Sequence, residues 1–259
     1  MNTPGDLAEP LQSCHPAVPV RTPAARALSV LEVLACSGFP TQLLIGGLLL
    51  AVGFRVGGET GLPFGFVVAL SLLDTAAIVL LVILFLRLRG ERARDVLLGR
   101  GSVWPEVRRG VLYVPLVFAV VVGLGALVQA LAPWLHNVPQ NPLQAMLTSP
   151  WRIAVFAMVV VLAGGIREEV QRAFILHRFN QHLGGARVGV ILFSVLFGLG
   201  HLTQGRDAAL ITGTLGLLWG VFYLRRRSMV GPAVSHSLFN LIEIGLYQYA
   251  SRAGLIPPP

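Results

Sequence analysis

The sequence predicts an all-α protein, a polytopic transmembrane helical bundle of about seven spans. Three observations carry that prediction. Of the 259 residues, 54% are hydrophobic and 12% charged, with a mean hydropathy of +0.73, a balance too apolar for a soluble domain. The apolar residues gather into stretches long enough to cross a hydrocarbon core of about 30 Å, which takes roughly 20 residues at a rise of about 1.5 Å each. Every basic side chain is an arginine, and the arginines crowd into the loops between those stretches, a positive-inside pattern and not a nucleic-acid surface.

Residues 1–26 carry Pro4, Pro10, Pro16 and Pro19 among small and polar residues, and read as a disordered cytoplasmic N-terminal tail and not a signal peptide. Residues 27–135 supply the N-terminal transmembrane helices, with apolar stretches at about 27–54, 62–86 and 110–135. A second block, 150–248, holds the stretches at about 151–178, 188–204, 208–224 and 229–249. Cys14 and Cys36 make neither a disulfide framework nor a thiolate metal site.

Arg87, Arg89, Arg92, Arg94, Arg100, Arg108 and Arg109 fill one loop; Arg225, Arg226 and Arg227 fill another, and Arg178 and Arg187 flank a third. With the tail in the cytoplasm, seven spans put these loops inside and the C-terminus outside, leaving only Arg55, Arg152, Arg206 and Arg252 on the outer face. The expectation is an integral, multi-pass protein of a bacterial inner (cell) membrane, N-terminus cytoplasmic.

An ionisable side chain near the bilayer centre costs at least about 2.5 to 3.5 kcal/mol to insert, so its presence is by default a functional signal. Here these residues are Asp74, Glu168, Glu169, Arg172, His201, His236 and Glu243, with Asn240 as a polar companion. Counted inward from Arg178, Arg187 and Arg227, residues Glu168, His201, His236 and Asn240 lie roughly 15, 21, 14 and 20 Å from the inner boundary. His236 and Asn240 are four apart and share a helix face, as do Glu168 and Arg172. Taken singly, "REEVQR" also reads as the solvated start of a loop, His201 as an interfacial residue at the outer end of a short span, and His236 as a packed core histidine. Their common depth argues for one polar pocket, with "GGIREEVQRAF" (164–174) as the middle of a long helix.

A carboxylate with a histidine activates water as a general base, and a second histidine with an asparagine amide donates hydrogen bonds to the oxyanion formed when water attacks a peptide carbonyl. The same set suits a divalent metal such as zinc, held if present by Glu168, His201 and His236, although no "HExxH" helix occurs. Cofactor need stays open between none and such a metal.

The ordered motifs "EEVQR" (168–172), "FGLGH" (197–201) and "HSLFN" (236–240) resemble those of the CAAX prenyl endopeptidase and bacteriocin-processing (CPBP, or Abi) family of intramembrane proteases, which includes the type II CAAX prenyl proteases. That family shows "EExxxR", "FxxxH" and "HxxxN" in this order, and the resemblance covers roughly residues 150–248. It implies a glutamate and His201 for water activation, His236 and Asn240 for the oxyanion or a metal, and Arg172 as a partner of the carboxylates. One departure stands out: Val170 and Gln171 alone separate Glu169 from Arg172, where the family has three residues. Anchored on the arginine, Glu168 is the expected base, with Glu169 next.

The function expected is an intramembrane endopeptidase acting on a membrane-associated protein or peptide, reached from the cytoplasmic side or laterally from lipid. Its partners are that substrate and the bilayer, and no nucleic acid. Two other readings stand beside it: a catalytically inactive peptide-binding or immunity relative, and a proton-coupled transporter relaying through Asp74, Glu168, His201 and Glu243.

Overall fold

A computed structural model describes residues 22–55 and 63–256, and the expected tail lies outside them for residues 1–21, with Cys14 among these. Helix α1 (Pro23–Ala35) already takes up the last residues assigned to the tail; Pro23 sits at its first turn and Thr22 caps it by accepting a hydrogen bond from the Ala25 amide. The other helices are α2 (Phe39–Ala51), α3 (Phe64–Leu88), the short α4 (Ala93–Leu97), α5 (Val103–Leu131), α6 (Pro150–Val159), α7 (Glu168–His182), α8 (Ala186–Leu199), α9 (Arg206–Arg226) and α10 (Val230–Arg252). No strand occurs among the described residues.

On length and apolarity, α3, α5 and α9 each suffice to cross a membrane. The α1–α2 pair adds a fourth span if read as one helix bent by 41°. That bend falls at Gly38, whose φ of +87° is a left-handed conformation that costs glycine little, directly before the turn containing Pro40. The other expected spans are helical, but do not meet the same measure. Residues 151–178 are divided among α6, a π-helical segment (Val160–Arg167) and α7, whose sequence is crowded with charge; α8 stops after 14 residues; α10 is long enough but carries His236, Asn240 and Glu243.

The bundle has two distinguishable ends. At one, Arg178 pairs with Glu91, Tyr223 donates to the Val96 carbonyl, the Met229 amide donates to Leu97, and Arg226 pairs with Glu106. These contacts gather the arginine-rich loops. At the other, His136 meets Asp207, the Arg206 amide donates to Asn137, Asn141 donates to Gln204, and Gln248 donates to the Leu147 carbonyl.

Burial runs opposite to that of a soluble protein. Leucines such as Leu43, Leu80 and Leu112 are exposed around the outside, while Arg172, Arg178, Glu169 and Asp74 are almost wholly enclosed. Only lipid makes that distribution favourable, since in water the outer leucines would gain from burial and the inner charges from hydration. The fold is therefore that of an integral membrane protein.

Candidate active site

The π-helical segment sets the position of the first motif. A π turn adds a residue to the helical register and is often found at functional sites. It covers Gly164 and Gly165, where α10 packs so closely that a Cβ at Gly164 would lie 2.7 Å from the Asn240 amide nitrogen, and one at Gly165 would collide with Ser237. The long helix expected at "GGIREEVQRAF" is thus continuous in path but changes winding just before Glu168. Sequence periodicity assumes a constant 3.6 residues per turn, so it could not place this change.

The two adjacent carboxylates end up in different surroundings. Glu169 is 1% exposed, ion-paired to Arg172 three residues on, and within 3.1 Å of His236 Nδ1. Glu168 faces a cavity of about 790 Å³ together with His201, His236, Asn240 and Glu243. Its Oε2 lies 3.9 Å from His236 Nε2 and its Oε1 lies 3.8 Å from the guanidinium of Arg167. Of the two carboxylates expected to partner Arg172, Glu169 is the one that pairs with it, although Glu168 lies on the same helix face four residues away. Spacings of three and four are both permitted on a helix; the aromatic rings of Phe193, Phe197 and Trp219, 4.9 to 5.6 Å from the Arg172 guanidinium, select the inner one.

His236 is held on three sides. Glu169 accepts from Nδ1, Trp219 stacks on the ring at 3.8 Å and 18°, and Phe197 meets it edge-on at 6.3 Å. Trp219 is fixed in turn by its indole N–H donating to Ser235, whose hydroxyl donates to the Pro232 carbonyl. With Nδ1 committed to a carboxylate, Nε2 is the nitrogen presented to the cavity.

His201 does not lie inside a helix. It follows the end of α8, in the turn before α9, and its Nδ1 donates to the Phe197 carbonyl at 2.8 Å. That bond makes Nδ1 a donor, because a carbonyl only accepts; in the neutral ring Nε2 is then the acceptor. Phe197 touches both histidines, its ring 4.9 Å from that of His201, so the "FGLGH" phenylalanine is a spacer between the second and third motifs.

Asp74 stands apart from the cavity lining, accepting from Thr41 and Gln42 and 3.7 Å from Arg167. Arg167 and Trp219 line the cavity without having been singled out from sequence. Arg167 carried a signal, since it precedes the paired glutamates; Trp219 carried none, because an aromatic residue in an apolar stretch is ordinary core. Among the described residues no three His, Cys, Asp or Glu side chains stand close enough to hold a metal ion, so Glu168, His201 and His236 do not form a ligand set as placed.

The described residues thus form an all-helical bundle with an acid, two imidazoles and an amide around one cavity. Residues 149–242, just over a third of the chain, match the family described as type II CAAX prenyl endopeptidase Rce1-like, a match that supports membership of that family. The description of the matched family is that of a CAAX-type endopeptidase. Neither a curated protein nor a solved structure matches the chain.

Proposed function

We propose that the protein is an intramembrane endopeptidase in which Glu168 is the general base. The observation that carries this reading is the separation of roles between adjacent carboxylates, Glu169 neutralised by Arg172 and Glu168 facing the cavity with no cation in hydrogen-bonding range. The 3.9 Å between Glu168 and His236 Nε2 lets one water molecule contact both. Glu168 takes a proton from that water as its oxygen attacks the scissile carbonyl carbon. Asn240 donates to the resulting oxyanion, joined by His236 Nε2 when that nitrogen carries a proton, and His201 Nε2 accepts from the water or the substrate amide. The tetrahedral intermediate collapses with cleavage of the C–N bond, and Glu168 returns its proton to the leaving amine.

Glu169 and Arg172 are positioning residues in this scheme, acting through the His236 ring. A proton relay from Asp74 to Glu243 is disfavoured, because the group between Asp74 and Glu168 is Arg167, whose guanidinium does not give up its proton.

The test is cleavage of a membrane-anchored reporter by purified protein in liposomes. Glu168→Gln and His201→Ala are expected to stop turnover while the thermal transition is kept. Unchanged turnover in both variants rejects the assignment, and a reporter bound but intact with the wild-type protein supports the inactive-relative reading instead.

A further inference from the structure

The walls of the cavity come from one end of the bundle. Val67 and Ser71 lie in the first third of α3, Phe118, Val121 and Val122 in the second half of α5, and Thr212, Leu215 and Trp219 in the first two thirds of α9. The loop segments that contribute are those of Asn141, Leu143, Gln144 and Leu147, of His201 and Gln204, and the last turns of α10 with Tyr247 and Ala250. Most of these lie toward the end marked by the His136–Asp207 and Asn141–Gln204 contacts, with Phe118 and Trp219 nearer the middle of the bundle. Among the described residues, none from 87–109, 178–187 or 225–229 lines it.

Toward the arginine loops the bundle is closed. Trp219 is 1% exposed, Phe222 stacks on Tyr113 at 3.9 Å, and α5 and α10 approach so closely at Gly110 that a Cβ there would lie 2.6 Å from Val234. A peptide has no passage past these contacts without parting the helices.

Arginine asymmetry puts the closed end in the cytoplasm. Arg87, Arg89, Arg92, Arg94, Arg100, Arg108, Arg109 and Arg225–Arg227 all belong to it, against Arg55, Arg152, Arg206 and Arg252 at the other. We propose that the cavity admits its substrate from the non-cytoplasmic face of the membrane, so that the polypeptide cut is an exported or outward-facing segment and not a cytoplasmic tail. Of the two expected routes, entry from the cytoplasmic side does not go together with cytoplasmic arginine loops on this reading, and lateral entry from lipid stays compatible with them.

The substrate part rests on the endopeptidase reading; the sidedness does not, and the experiment separates them. In a Cys14→Ser, Cys36→Ala background, single cysteines are placed by Ala145→Cys and Tyr247→Cys at the cavity end and by Arg94→Cys at the arginine end. Intact cells are then treated with a membrane-impermeant maleimide. Ala145→Cys, an exposed loop position, tolerates the change even if Tyr247→Cys does not fold. The expected result is labelling at 145 and 247 in intact cells and at 94 only after permeabilisation; labelling at 94 with protection of 145 overturns the proposal. A second arm uses two reporters whose cleavable segment lies on the outer or the inner side of one membrane anchor. Cutting of the outer reporter alone supports the proposal, and cutting of the inner one alone overturns it. Expected labelling with neither reporter cut leaves the sidedness standing and counts against the endopeptidase reading.

Discussion

Helix α7 carries two buried ionic clusters built from the same parts, and they are finished differently. At its arginine-rich end, Arg178 pairs with Glu32 and Glu91, each at 2.5 Å; Arg89 adds a second cation to Glu32, and His177 and Gln181 complete Glu91. About two turns earlier, Arg172 pairs with Glu169, which also binds His236, while the neighbouring Glu168 has its nearest cationic partners only at 3.8 and 3.9 Å. A buried charge costs several kcal/mol unless it is paired and hydrogen-bonded. The first cluster meets that requirement in full and ties α1, α7 and the loop after α3 together. The second leaves one carboxylate without a close partner beside a cavity, and Arg172 Nε and Nη2 without hydrogen-bond partners; in the proposed mechanism a reacting water completes the carboxylate. Saturation marks a joint, and one unsaturated acid next to a saturated one marks a site.

The largest effect expected is on chemistry alone. Glu168→Gln removes the proposed general base, so turnover falls by on the order of 10² to 10⁴, while the unfolding transition stays near that of the wild type because no ion pair of hydrogen-bonding length is lost. Steady-state cleavage and thermal unfolding of the same preparation read both quantities. A variant that loses turnover only by unfolding breaks the comparison.

Arg178→Ala is the mirror case. Glu32 loses one of its two cations and Glu91 keeps only neutral or titratable partners in a half-buried setting, with a stability loss of about 3 to 5 kcal/mol, the usual cost of breaking a buried pair from one side. Turnover per folded molecule is unchanged. A denaturation series in detergent with activity normalised to the folded fraction checks it, and an effect on turnover larger than on folding would merge the two clusters into one functional unit.

Glu169→Gln belongs between these two. It takes the anion from the His236 Nδ1 bond and strands Arg172 among three aromatic rings, so both readouts move: turnover by on the order of 10- to 100-fold, as for other groups that orient an active imidazole, and the transition downward. Restoring the anion at shorter reach with Glu169→Asp recovers part of each. Equal behaviour of the 168 and 169 variants would remove the distinction drawn between the carboxylates.

Much of this was legible in the sequence, and the part that was not has a common cause. Glu168, His201, His236 and Asn240 were named from their cost of insertion and their spacing, and all line one cavity. Which carboxylate Arg172 partners was left open because choosing between a partner three or four residues away depends on Phe193, Phe197 and Trp219, which come from α8 and α9. His201 was placed within a span because "VGVILFSVLFGLGHL" stays apolar to its end; the chain turns after Leu199 all the same, held by the His201 bond to Phe197. Arg178 was read as flanking a positive-inside loop, yet it is fully buried, and its partner Glu32 lies 146 residues earlier. Local pattern reports which residues are costly. Only tertiary contact reports which of them have been satisfied.

The smallest effect tests the saturated cluster by protons instead of mutation. Burial pushes Glu91 up, but hydrogen bonds from His177, Gln181 and Arg178 outweigh it and hold the carboxyl at about 2, against an ordinary value of 4.5. A carboxylate whose folded value lies below its unfolded one adds stability that is complete above about 4.5 and is lost as pH falls toward about 2. Wild-type protein in detergent should therefore lose thermal stability between pH 5 and pH 3 more steeply than Glu91→Gln, the two curves converging at the acid end. Parallel curves over that range would mean that Glu91 is no better satisfied folded than unfolded, and the contrast between a finished joint and an unfinished site would lose its first half.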